Sequence, residues 1–167
     1  MDRAARATEE WKRERPDLDP LPMAVLGSLA EAAQLVARDY LRPFFAAHGL
    51  QGGEFDVLAT LRRAGPPHAL SPTALYGATM VTSGDMTGRI DRLERAGWVV
   101  RQPDPGDRRG TLVALTAEGH ELIDTLMAAH VGNEQRLLAG LSRVEQETLA
   151  GLLAKLLATL SAAASTS

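Results

Sequence analysis

From Met23 to about His48 apolar side chains recur at helical spacing (Val25, Leu26, Leu29, Ala33, Val36, Ala37, Leu41), and the Gly49 region stops the run. The pattern predicts one long helix, bent at Pro43. Phe55, Leu58, Ala59 and Leu61 mark a second helix that stops near Ala64-Gly65-Pro66-Pro67. Ser71, a capping serine with proline at the first helical position, opens a short helix through about Thr79. Thr82 and Ser83 can cap the next, which carries Met86, Ile90 and Leu93 on its inner stripe and ends at Gly97. Two short helices joined by a tight turn form a helix-turn-helix.

After Gly97 the period becomes extended. Residues 98–102 and 111–115 flank the turn-rich stretch 103–110, which predicts a β-hairpin wing directly behind the second short helix. Thr116 can cap a further helix to roughly Val131, with a bend at Gly132-Asn133 and a continuation toward Gly140. Ser142-Arg143-Val144-Glu145 reads as a capping box for a last helix bearing Val144, Leu149, Leu152, Leu153, Leu156, Leu157 and Leu160. That leucine stripe is wider than a small winged domain covers alone, so a second copy of the chain is expected over it. At the other end, Trp11 sits among charges in a short helix that Pro16, Pro20 and Pro22 set apart.

The expected fold is mainly α with a small β-hairpin wing (α+β): a winged helix-turn-helix with N- and C-terminal dimerisation helices. The expected divisions are an N-terminal helical extension over 1–21, dimerisation helices over 22–50 and 117–161, a winged helix-turn-helix DNA-binding domain over 53–116, and a flexible tail over 162–167.

Composition narrows the function. The 167 residues include no cysteine, which removes thiol sensing and zinc–cysteine sites. No run is long and apolar enough to span a bilayer, so a cytoplasmic protein without membrane contact is expected. There is no Gly-x-Ser-x-Gly elbow, no phosphate-binding loop and no nucleophile with an evident base, so no enzyme is expected. His48, His68, His120 and His130 lack metal-ligand spacing; neither a metal nor a cofactor is expected. The net charge of −3 speaks mildly against nucleic acid, but the sum does not locate the arginines.

Their placement does. At ~100° per residue, Asp85, Gly88, Arg92 and Arg95 point away from the apolar stripe and face outward, and Gly88 leaves room for close backbone approach to DNA. Arg108 and Arg109, on a hairpin tip held by Asp107, suit a minor groove. The candidate DNA-contacting set is Ser71, Thr73, Thr82, Ser83, Asp85, Met86, Thr87, Arg89, Arg92, Asp107, Arg108 and Arg109. Asp85 has a structural reading too, as an i,i+4 partner of Arg89.

The chain resembles the MarR family of transcriptional regulators over about residues 22–160. The resemblance rests on residues 70–75 (LSPTAL), 82–97 (TSGDMTGRIDRLERAG), 104–110 (DPGDRRG) and 115–119 (LTAEG). It implies a triangular homodimer whose two winged lobes bind a pseudo-palindromic operator in double-stranded DNA. Asp85 departs from the small neutral residue many relatives carry, which puts close groove contact there in question.

A narrower likeness is to the urate-responsive, PecS-like branch, carried by the N-terminal extension with Trp11, by Asp56, by Arg89 and by Arg101. It implies that these four hold a small anionic ligand, urate or a related purine, that lowers DNA affinity and relieves repression. A tricarboxylate such as citrate or aconitate, a phenolic acid, or no effector at all remain the alternatives. Trp11 could equally pack a terminal helix onto the core, and Arg89 and Arg101 could be solvated.

Overall fold

A computed structural model describes residues 3–79 and 86–164. Helix α1 (Arg3–Glu14) lies along α2 (Leu21–Leu35), and Gly27 lets them approach so closely that a Cβ there would sit 3.0 Å from the Ala4 Cβ. Beyond Leu35 the helix widens to π geometry over Val36–Leu41, then resumes as α3 (Arg42–Ala47). The predicted bend at Pro43 has this form. Proline offers no N–H to the Asp39 carbonyl and crowds it, and the chain accommodates the loss upstream, where the Arg42 N–H donates to the Ala37 carbonyl five residues back. Gly49, at φ 72°, then closes the helix end, with the Leu50 N–H donating to the Phe45 carbonyl at 3.0 Å.

Helix α4 (Gly52–Arg63) is the centre of the first compact unit. Its capping box is complete: Gln51 receives the Glu54 backbone N–H, and the Glu54 carboxylate accepts the Gln51 N–H at 2.8 Å. Val57, Leu58 and Leu61 on α4 pack out of solvent with Leu75 of α5 (Pro72–Ala78) and with Ile90 and Leu93 of α6 (Met86–Arg95). Strands β1 (Ala69–Leu70), β2 (Val99–Asp104) and β3 (Asp107–Leu115) form an antiparallel sheet in the order β1-β3-β2, with Val99 and Val113 facing the same core. Strand β1 was not foreseen; its two residues are too few for a periodic signal. The hairpin pairs in register from Val99↔Leu115 to Pro103↔Thr111; the register then shifts, Arg108-Arg109-Gly110 bulge from β3 without partners on β2, and a last pair, Asp104↔Asp107, encloses Pro105-Gly106 as the turn.

Helix α7 (Ala117–Leu137) starts on Thr116, whose hydroxyl accepts the Gly119 N–H at 3.0 Å and donates to the Gly97 carbonyl at 2.7 Å. It runs unbroken through Gly132-Asn133, where a bend was expected; no positive φ occurs there and the helical hydrogen bonds carry the chain across. Helix α8 (Arg143–Ala164) opens on the predicted box, with Ser142 and Glu145 bonded in both directions at 2.7–3.3 Å. The compact units are Met1–Thr125 and Leu126–Ser167, so they part within α7. In the second unit Leu153 and Leu156 are half-buried, whereas Val144, Leu152, Leu157 and Leu160 are exposed.

Candidate nucleic-acid interface and effector site

The amphipathic α6 places Ile90 and Leu93 inward and Arg95 outward as the wheel requires, whereas Met86, expected on the inner stripe, and Gly88, expected to face outward, are both half-buried. Ile90 and Leu93 anchor it, Met86, Gly88 and Arg89 lie at the half-buried flanks, and Thr87, Asp91 and Arg95 face solvent. Thr82, Ser83 and Asp85 fall outside the described residues. In α5, the Ser71 hydroxyl caps the helix by accepting the Ala74 N–H at 3.2 Å, and Thr73 is exposed one turn in. Arg92 departs from the wheel: its Nε donates inward to Glu54 Oε1 at 2.6 Å, and the Glu54 side chain is only 7% exposed.

At the wing tip two aspartates shape the turn. The Gly106 N–H donates to Asp104 Oδ1 at 2.8 Å, and the Arg109 N–H donates to Asp107 Oδ1 at 2.9 Å. Gly110 lies against both, with space for no side chain: a Cβ would come 2.8 Å from the Asp104 Cβ. Arg108 and Arg109 thus stand at the start of β3, exposed, beside a tip whose backbone the aspartates hold.

The four effector candidates are placed differently from one another. Arg101 in β2 reaches back to α6, where its Nη2 donates to Asp91 Oδ1 at 2.6 Å and its Nη1 to Glu94, while its backbone N–H donates to Glu94 Oε1 at 3.0 Å. Asp91 first and Glu94 second hold its guanidinium pKa above the ordinary arginine value. The Arg89 side chain lies over the backbone of Gly53, where a Cβ would meet its Nε at 2.6 Å, and among the described residues no ion pair holds it. Asp56 is half-buried one turn further along α4. Trp11 is 45% exposed on α1, whose main packing partner is α2, so it is not a core anchor of its own chain.

Arg89 and Asp56 are therefore brought to one neighbourhood at the start of α4, and Arg101 is committed to α6. Sequence reasoning missed Glu54, Asp91 and Glu94. The capping-box spacing Gln51-x-x-Glu54 signalled the first, and the i,i+3 acids beside a strand arginine signalled the others.

Comparison with known proteins assigns this arrangement. A protein-family model described as MarR family matches residues 48–110, which run from the end of α3 to the wing tip. The HTH-type transcriptional regulator PecS of Dickeya dadantii is 44% identical over 147 residues, 88% of each chain. The chain belongs to the MarR family. Two solved structures agree at the level of the fold. Sco3205, a MarR family regulator of Streptomyces coelicolor solved with DNA, aligns at TM-score 0.74 and 27% identity over 84% of this chain and 88% of its own. BpsR of Bordetella bronchiseptica, solved to explain how 6-hydroxynicotinic acid regulates its DNA binding, aligns at TM-score 0.69 and 28% identity over 79% of this chain and 91% of its own. As a MarR family member the chain is a transcriptional regulator of winged-helix fold and not an enzyme. Among the described residues no helix is long and apolar enough to cross a membrane.

Proposed function

We propose that the chain is a DNA-binding repressor that grips a pseudo-palindromic operator as a homodimer and lets go when a small planar anion binds, urate or a related purine. The observation that carries the DNA reading is the pairing of α6 with a wing tip that bears exposed Arg108 and Arg109 and whose turn is bonded by Asp104 and Asp107. A helix of this size fits a major groove while arginines at a hairpin tip suit the adjoining minor groove. The DNA-bound relative supports the same use of the fold. Two copies, held through the exposed leucines of α8, would reach half-sites about one helical turn apart. A regulator of this kind works beside the chromosome, in the cytoplasm.

The effector reading rests on the likeness to the PecS-like branch and on the cations near α6. Arg89, without an ion pair among the described residues, is the group an anion would meet first. Trp11 offers a half-exposed indole for stacking, and Asp56 an acceptor for a ligand N–H. An anion that also draws on Arg101 must compete with Asp91 and Glu94, and so loosens the wing from α6. That competition gives the ligand different affinities for the two poses of the helix, which is what coupling to DNA requires. The ligand of BpsR, a hydroxylated pyridine carboxylic acid, favours a planar heteroaromatic anion over a tricarboxylate.

The test is fluorescence anisotropy of duplex DNA from the region upstream of the coding sequence, at two salt concentrations, with urate, citrate or 6-hydroxynicotinate. Tight, salt-sensitive binding relieved by urate is the expected result. Relief by citrate alone, or by none of the three, overturns the purine reading and keeps the DNA reading. Absence of specific binding at either salt overturns both.

A further inference from the structure

The α6 arginine that the wheel directs outward is turned inward, onto a carboxylate with almost no contact with water. Glu54 serves two helices at once. Its Oε2 accepts the Gln51 N–H at 2.8 Å and closes the start of α4, and its Oε1 accepts Arg92 Nε at 2.6 Å. A carboxylate buried to this degree needs both partners to offset its lost hydration. Arg92 by contrast is 37% exposed and borders a cleft of about 250 Å³ with Gly49, Leu50, Ala96 and Trp98, so it has somewhere to go once released.

We infer that Glu54 is a specificity-determining positioning residue: by holding Arg92 it fixes the pose of α6 and withholds one positive charge from the DNA phosphates. Phosphate contacts bind every sequence alike, whereas base contacts need a fixed helix. A loose Arg92 therefore works against discrimination twice, by letting α6 shift and by adding affinity that is blind to sequence. The inference rests on the DNA-binding reading above.

Glu54→Gln is the test. The amide keeps the shape of the side chain. Its oxygen can still cap Gln51, but its NH2 then faces the Arg92 Nε–H, donor against donor, and Arg92 leaves. Binding of the full-length variant to operator and to a scrambled duplex is measured across a salt series, with wild type in parallel. The ratio of operator to scrambled affinity is expected to fall by about tenfold. The slope of log K against log salt on the scrambled duplex is expected to steepen by about one. A purely structural role would weaken both duplexes together and leave ratio and slope alone; that result overturns the inference while the DNA reading stands. Wild type that binds neither duplex overturns the two together. Arg92→Met approaches from the other side and serves if Glu54→Gln does not fold: the ratio is expected to fall with no steepening of the slope, and an unchanged ratio overturns the inference.

Discussion

At the residue scale two glycines carry opposite messages. A Cβ on Gly119 would run into the carbonyl of Trp98, backbone that also accepts the Thr116 N–H at 3.2 Å and cannot easily give way. Gly119→Ala is expected to lower unfolding free energy by about 3 kcal/mol or more, read by thermal or urea denaturation. A Cβ on Gly53 would meet only the mobile end of Arg89. Gly53→Ala is therefore expected to keep stability within about 1 kcal/mol, while displacing Arg89 and shifting the midpoint of the urate response; an unchanged midpoint would count against Arg89 as an effector contact. The seat of Arg89 over the Gly53 backbone was not legible in the sequence, because it depends on how α4 packs against α6. Nor were the partners of Arg92 and Arg101, because a wheel gives the direction of a side chain and not the identity of what packs opposite.

At the element scale the helices were readable because their caps are local chemistry. Ser71, Thr116 and Ser142 all bond as their spacing implies. Ser71→Ala is expected to cost about 1 kcal/mol of stability, seen as a lowered Tm. What escaped reading depends on other parts of the chain: β1 exists only because β3 pairs with it, and the bulge at Arg108-Arg109-Gly110 shows only in the register of β3 against β2. Between elements, α4 is tied to α7 by Arg62, whose Nε donates to Asp124 Oδ1 at 2.7 Å. That bond, helped by the charges of Arg62, His120 and His68, holds the Asp124 pKa below the ordinary aspartate value. A depressed folded-state pKa contributes stability above the unfolded value and loses it as pH falls through the folded one. Wild type and Asp124→Asn are therefore expected to differ in Tm at neutral pH and to converge at strongly acidic pH.

For the whole molecule the decisive feature is apolar surface that one chain leaves exposed. Leu152 and Leu157 of α8 are 62% and 63% exposed, and Leu21 and Leu26 of α2 are 63% and 55% exposed. Isolated exposed leucines are ordinary, but rows of them on helices at both ends of a chain are what a second copy covers. Replacing Leu152 and Leu157 with glutamate is expected to give a single-chain mass by light scattering and to weaken operator binding by more than about a hundredfold, since each lobe would then bind alone.

The ion-pair set that joins the wing to α6 also bears on redesign. A helix transplanted in place of α6 from a relative, to change which DNA the protein binds, is an interchangeable part only if it brings acids to positions 91 and 94. Without them Arg101 would be left beside the graft with its charge unanswered, and the hairpin behind the new helix would no longer move with it. The smallest unit that can be exchanged is therefore the helix and the first wing strand together.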